Sequence, residues 1–168
     1  MKRIGLISDT HSHLDEAVFR HFENCDEIWH AGDVGNINVL DQLEAFKPTI
    51  AVYGNIDGQE VRLRAPEKQI FTIEGVNVYM IHIGGTPPRY AKDVLDDLGM
   101  EKPDLFICGH SHILKVMPDK NLGGMLYMNP GAAGHHGFHR VRTLLRFELS
   151  EGKIQKLEAI ELGKRGRN

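Results

Sequence analysis

The feature that most constrains this chain is a series of short apolar runs, each of which stops abruptly at a residue that carries chemistry. Ile4-Gly5-Leu6-Ile7 gives way to Ser8-Asp9-Thr10-His11, and a short apolar run bounded by polar residues reads as a buried strand. The same happens after Glu27-Ile28-Trp29-His30, which ends at Ala31-Gly32-Asp33, and after Thr49 to Tyr53, which ends at Gly54-Asn55-Ile56-Asp57. Val76 to His82 ends on its own histidine, and Asp104 to Cys108 runs into Gly109-His110-Ser111-His112. Between the first three runs, Leu14, Val18, Phe22 and Cys25, then Val39, Leu40, Leu43 and Phe46, recur at helical spacing. Alternating strands and helices build a sheet that binds ligands at the carboxyl ends of its strands. The strand-end residues are therefore expected at one mouth.

Past residue 57 the pattern changes. Ile70 to Ile73 and Val76 to His82 flank Glu74-Gly75 as a hairpin, and a helix is expected over Tyr90 to Leu98, stopped by Gly99 and Pro103. Short strands follow near Lys115 to Met117, Met125 to Asn129, Thr143 to Leu149 and Lys153 to Glu161. An alternating half joined to a strand-rich half points to an α/β (α+β) protein with two sheets packed face to face and helices outside them. With 168 residues, 41% of them hydrophobic, the chain can bury one good core, so residues 1–168 are expected to form a single domain.

A net charge of -3 leaves no basic excess to neutralise a run of phosphates, which argues against a nucleic-acid partner. The basic tail Lys164-Arg165-Gly166-Arg167 is expected to be a frayed, solvated end. Cys25 and Cys108 have neither metal-knuckle nor redox spacing and read as reduced core residues. The first strand begins almost at Met1, so no leader peptide is expected, and no apolar stretch approaches the roughly eighteen residues needed to span a bilayer. A cytoplasmic protein without a membrane partner is the expectation.

The strand-end set is Asp9, His11, Asp33, Asn55, His82, His110 and His112. Carboxylate, imidazole and amide donors without thiolate suit divalent manganese, iron, zinc, cobalt or nickel, and suit calcium or a structural zinc cage poorly. Singly, each has a structural alternative. Asp9 and Asp33 can be turn or cap residues, Gly54-Asn55 a turn pair, and His82 a hydrogen-bonded core histidine. Two imidazoles in the Gly109 turn gain least from packing.

In order along the chain, Asp9-x-His11, Gly32-Asp33, Gly54-Asn55-x-Asp57, His82 and Gly109-His110-x-His112, with Asn129-Pro130-Gly131 as a closing turn, resemble the calcineurin-like metallophosphoesterase superfamily. Within it they resemble the small YfcE-like phosphodiesterases. The resemblance implies a four-layer αββα sandwich of two mixed β-sheets. It also implies two divalent cations, manganese first, with nickel, cobalt, iron or zinc as alternatives. One ion would be held by Asp9, His11 and His112, the other by Asn55, His82 and His110, with Asp33 bridging. Two such ions, roughly 3.5–4 Å apart, clamp a phosphate and supply a hydroxide for in-line attack; Asp33 and Asn55 would position hydroxide and phosphate. Asp57 would act behind the ligands, accepting a hydrogen bond from a ligand histidine.

One position departs from the pattern. Monoesterases and many diesterases of the superfamily carry a histidine directly after the third-motif asparagine, and here that residue is Ile56. An isoleucine cannot protonate a leaving oxygen, and losing a general acid costs about 10²–10⁴ in rate. The expected substrate is therefore a small phosphodiester with a good leaving group. Charge agrees, since two divalent ions against Asp9, Asp33, hydroxide and a singly charged diester come to balance.

In Gly134-His135-His136-Gly137-Phe138-His139-Arg140, His135, His136, His139 or Arg140 is a candidate substrate contact, and a flexible surface loop is the alternative. Thr86 to Tyr90 is expected to be a substrate-rim loop or a subunit contact, at a place where relatives often have a second histidine and this chain has Gly84. A homo-oligomer is an expectation from the resemblance alone. The competing readings are a phosphomonoesterase and a non-catalytic scaffold of the retromer-subunit type.

Overall fold

Successive side chains of a strand point to opposite faces, so a strand buried on both sides must be apolar at every position. That is the pattern here. The computed structural model describes residues 1–166, in the order β1 (Lys2–Ile7), α1 (Glu16–His21), β2 (Glu27–His30), α2 (Asn38–Phe46), β3 (Thr49–Ala51), α3 (Gln59–Arg64), β4 (Lys68–Ile73), β5 (Val76–Ile81), β6 (Gly85–Thr86), β7 (Arg89–Tyr90), α4 (Lys92–Glu101), β8 (Leu105–Ile107), β9 (Leu114–Asp119), β10 (Met125–Pro130), β11 (Val141–Ser150) and β12 (Lys153–Lys164). One five-stranded sheet runs β12-β11-β1-β2-β3 and the other β4-β5-β8-β10-β9. Both are mixed. β1, β2 and β3 pair in parallel, as do β5, β8 and β10; the antiparallel strands β11 and β12 extend the first trio beyond β1, and β4 and β9 flank the second.

Alternate residues of the two sheets meet in one core: Ile4, Leu6 and Trp29 from the first, Val78, Met80, Leu105, Ile107 and Met128 from the second. The residues between them face outward. Ile7 and Ile28 pack under Val18 of α1, Val39, Leu40 and Leu43 of α2 and Val61 of α3. Tyr79, Phe106 and Tyr127 pack under Val94 and Leu98 of α4. Helix, sheet, sheet and helix make the four-layer αββα sandwich. Trp29 is fully buried within it. No helix of the described residues is long and apolar enough to cross a membrane.

Several elements differ from expectation for identifiable reasons. Residues 14–25 hold only the six-residue α1, which starts where Asp15 accepts a hydrogen bond from the Ala17 N–H (2.8 Å). Gly99 does not stop α4; a glycine in a helix costs about 1 kcal/mol, and the helix runs on to Glu101, where Lys102 caps it at φ 45°. Residues 85–90 form the β6–β7 ribbon. The basic tail is not frayed as far as it is described. Lys164 ends β12, the Arg165 N–H donates to the Arg140 carbonyl (2.9 Å), and the Arg165 carbonyl meets His135 Nδ1. Arg167 lies outside the described residues.

The strand ends that matter stay paired after the strands finish. Beyond β1 and β2 the ladder continues through Asp9 N–H to Gly32 O (2.9 Å), His11 N–H to Asp33 O (3.0 Å) and Ser12 N–H to Val34 O (2.9 Å). His30 locks the same two exits from beneath. Its Nδ1 accepts from the Gly32 N–H (3.1 Å), so Nε2 carries the proton and donates to Thr10 Oγ1 (2.9 Å), whose hydroxyl donates to the Val34 carbonyl (2.9 Å). A neutral ring suits both bonds, and burial pushes the His30 pKa down to about 4 despite Asp57 and Asp9 nearby.

Because the unfolded chain takes up the His30 proton below about pH 6.5 and the folded one does not until about pH 4, this residue's contribution is present at neutral pH and lost as pH falls between those values. On the order of 2 kcal/mol should be lost by pH 4.5. Urea unfolding at pH 7 and pH 4.5 should show His30→Gln losing less stability than the parent over that interval; equal losses would contradict the neutral buried ring.

Candidate metal centre

The edge formed by the carboxyl ends of β1, β2, β3, β5 and β8 brings seven side chains from five segments to one place. The donor atoms of Asp9, His11 and His112 lie within 4.8 Å of one another, and those of Asp33, His82 and His110 do likewise. Asp33 Oδ2 links the two groups, 3.4 Å from His11 Nε2 and 3.2 Å from His82 Nε2. His112 Nε2 stands 3.1 Å from Asp9 Oδ1. Asn55 sits at the exposed edge, its Oδ1 3.0 Å from His110 Nδ1.

Each carboxylate has one oxygen spent on structure and one aimed inward. Asp9 Oδ2 accepts from Ser8 Oγ (2.7 Å) and from the His110 N–H (3.1 Å), and Asp33 Oδ1 accepts from the Ile56 N–H (3.1 Å). The histidines are divided the same way. His82 Nδ1 donates to the Ala31 carbonyl (2.7 Å), which leaves an Nε2 lone pair pointing at Asp33. His139 Nε2 donates to the Gly134 carbonyl (2.8 Å), so its Nδ1 is an acceptor, and His112 Nδ1 at 3.3 Å is the donor that it faces. That turns a His112 Nε2 lone pair toward Asp9 Oδ1.

The consequence is a conflict that only a cation or a proton relieves. Asp9 Oδ1, His11 Nε2 and His82 Nε2 are buried without a hydrogen-bond partner, although ion-pair distances of 3.1 to 3.9 Å separate them from one another's groups. Buried polar groups in proteins are almost always satisfied, so three orphans converging on one point make this a candidate metal centre, and the donor types present fit divalent ions. The titration shifts have the same origin. Burial raises the Asp33 pKa, but His11 and His82 outweigh it and hold the carboxyl far below its usual range. Burial lowers His82, and Asp33 and Asp9 hold it above the ordinary histidine value.

Holding the donors there takes unusual backbone. Asp9, His11, Asp33, His110 and His112 all have positive φ, between 44° and 69°, a region that costs a non-glycine residue about 1–2 kcal/mol. Close approach is bought with glycine: a Cβ on Gly54 would lie 2.1 Å from Asp33 Oδ1, and one on Gly109 would lie 2.2 Å from Ser8 Oγ.

Asp57 is buried behind the site but touches no ligand histidine. Its carboxylate accepts from the backbone N–H groups of Gly54 (2.7 Å), Gly35 (2.8 Å) and Val34 (3.1 Å), stapling the exits of β2 and β3 together. The expectation of a histidine partner is corrected, because the carboxylate is turned toward three backbone amides and its hydrogen bonds go to them. Asn129 plays the matching part under the histidine turn, donating to the Gly109 carbonyl and Ser111 Oγ, both at 3.0 Å. The role of Ser8, adjacent in sequence to Asp9, had no signal of its own. Gly84 leaves no room for the second histidine, since a Cβ there would lie 2.4 Å from Phe106.

A cavity of about 480 Å³ opens above the donors, lined by Asp33, Asn55, Ile56, Ser111, Ile113 and Phe138 and by His11, His110, His112, His136 and His139. His135 lines an adjoining recess of about 330 Å³ with His13 and His136. Of the four candidate substrate contacts, His139 stands behind His112, and Arg140 lies exposed outside both recesses, its carbonyl held by Arg165. A separate cavity of about 670 Å³, beside Leu98 and Met125, holds none of the seven donors.

Two face-packed mixed sheets with a carboxylate and histidine cradle at one edge define a metallophosphoesterase. Residues 1–152 match the calcineurin-like phosphoesterase superfamily domain, and the chain belongs to that superfamily. A probable metallophosphoesterase of Methanothermobacter thermautotrophicus is 37% identical over 135 residues, 77% of this chain and 76% of that protein. A protein of Methanocaldococcus jannaschii named a phosphodiesterase is 35% identical over 74 residues, 40% of this chain and 44% of its own length. The crystal structure of Vps29 with zinc from Entamoeba histolytica shares the fold, with a TM-score of 0.72 at 17% identity over 95% of this chain and 98% of that one.

Gly54→Ala should push Asp33 out of place and weaken divalent-metal affinity about tenfold or more, read by competition with a chelating dye; unchanged affinity would contradict the close approach. At His110, φ 69°, the metal-free His110→Gly variant should be more stable than His110→Ala by about 1 kcal/mol. Equal urea midpoints would show that the turn is not strained.

Proposed function

We propose that this protein is a metal-dependent phosphodiester hydrolase. The observation that carries the reading is the trio of buried, unpartnered donor atoms on Asp9, His11 and His82. Bound divalent ions would supply Lewis-acid stabilisation of the phosphoryl oxygens and an attacking water that is acidic at neutral pH. Asp9, His11 and His112 would hold one ion, His82, His110 and Asn55 the other, with Asp33 reaching both. Manganese is the first choice, and nickel, cobalt, iron and zinc suit the same donors.

Hydrolysis forms a P–O bond from water and breaks the P–O bond to the leaving group. Direct attack by water is favoured because no prepared nucleophile is found among the described residues. Burial pushes the Cys25 and Cys108 thiols up to about 11 and about 12, so neither is a thiolate. Ser111 Oγ, which faces the cavity, already accepts from Asn129 and from the Ile113 N–H (3.1 Å). Ile56, held at the mouth through its own N–H, has no proton to give. Without a donor at this position the reaction favours leaving oxygens that are stable as anions, aryl groups among them, and a singly charged diester over a monoester. The phosphodiesterase name of the Methanocaldococcus jannaschii relative supports this choice.

The intact donor set supports an enzyme over a scaffold that shares only the fold. Two buried, unpaired cysteines support a cytoplasmic location. With manganese added, bis-p-nitrophenyl phosphate should be hydrolysed faster than p-nitrophenyl phosphate, and Asp33→Asn should lower kcat by about a hundredfold or more. Equal or faster monoester turnover would refute the diester preference. A protein that retains no divalent metal on elemental analysis and shows no turnover would instead favour the scaffold.

A further inference from the structure

Three apolar side chains stand exposed around a cavity whose floor is made of charged and polar donors. Ile56 is 47% exposed, Ile113 is 64% exposed, and Phe138 is fully exposed. Scattered exposed apolar residues need no explanation, but these are not scattered. Each lies on a segment tied directly to a candidate ligand. Ile56 donates its N–H to Asp33 Oδ1, and Ile113 follows His112 in a turn fixed by its N–H to Ser111 Oγ. The loop carrying Phe138 is fastened at three points: the Gly134 N–H donates to the Asp9 carbonyl (3.1 Å), the His136 ring lies 4.6 Å from the His11 ring, and His139 meets His112. Gly137 lets that loop press close, since a Cβ there would lie 2.2 Å from His112 Nδ1.

The charge of the rim is equally selective. No lysine or arginine is among the described residues that line this cavity. A substrate with further phosphates on its ester arm would need such cations to pair with them. One negative charge has a place, at the donor floor, whereas no described lining side chain offers a lysine or arginine cation to a second.

We propose that the site takes phosphodiesters bearing an uncharged aromatic or apolar ester arm, and that Phe138, Ile113 and Ile56 hold this arm while the phosphate sits on the metals. The proposal rests on the phosphodiesterase reading of the same site. It gives Ile56 a positive role, in that the side chain unable to donate a proton contributes a wall of the arm's site. Phe138 contributes a ring face for an aromatic arm.

The test is a titration of the zinc-loaded full chain, with methyl-labelled isoleucine, by diphenyl phosphate and by dimethyl phosphate, which carry the same single charge. Diphenyl phosphate should bind about tenfold or more tightly and shift the Ile56 and Ile113 methyl signals. In Phe138→Ser and Ile113→Ser the ratio of the two affinities should fall toward one. Equal affinities in the parent, no binding of either ligand, or a ratio unchanged in both variants would overturn the proposal. Hydrolysis of bis-p-nitrophenyl phosphate by the manganese-loaded protein separates the two levels. An arm preference without turnover would sink the hydrolase and leave the arm site, whereas turnover without an arm preference would sink the arm site alone.

Discussion

The structure depends on a set of polar atoms that the fold buries and declines to satisfy. Asp9 and Asp33 lie in the interior at the ends of adjacent parallel strands, and the histidines facing them present lone pairs, because each spare ring nitrogen with an assigned partner donates elsewhere. An unpaired buried charge costs several kcal/mol, and in this arrangement Asp9 Oδ1, His11 Nε2 and His82 Nε2 are left without a hydrogen-bond partner. The surrounding hydrogen bonds all work to preserve the conflict. Ser8 and the His110 N–H occupy the outer oxygen of Asp9, the Ile56 N–H occupies that of Asp33, and His30 and Asp57 lock the backbone from behind. A cation is the group for which such an arrangement is complete.

The backbone tells the same story. Positive φ at Asp9, His11, Asp33, His110 and His112 spends folding energy on aiming donors. The two-sheet core can bear that expense, since Trp29, Tyr79, Phe106, Phe147 and the aliphatic residues around them are fully or almost fully buried. Rigid strands deliver the donors, and short loops crossing one another at the strand ends set their final angles.

Much of this was legible in the sequence because the chemistry sits where periodicity breaks. Asp9, Asp33 and His82 each follow or end an apolar run, and the Gly109-His110-Ser111-His112 turn has little to gain from packing. The residues acting through them were less visible. Asp57 looked like a partner for a histidine and instead staples three backbone amides, a choice made by which loops meet in space. His139 was legible only as one histidine among several in a polar loop, and its place behind His112 follows from Gly137 and Gly134 letting that loop close on the site. Among the elements, α3 escaped because Val61 is its one buried residue, too few to mark a helical face, and β6 and β7 are two residues each.

One site therefore joins a polar floor with two candidate ion-binding groups to an apolar rim with no lysine or arginine among its described lining residues, both built on the same short loops. The floor is the part on which everything else rests. Anomalous diffraction from manganese-loaded crystals tests it most directly. Two separate peaks are expected, one coordinated by Asp9, His11 and His112, the other by Asn55, His82 and His110, with Asp33 reaching both. A single peak that excludes Asp33, or ions bound elsewhere while Asp9 Oδ1, His11 Nε2 and His82 Nε2 are hydrogen-bonded to water, would contradict the account.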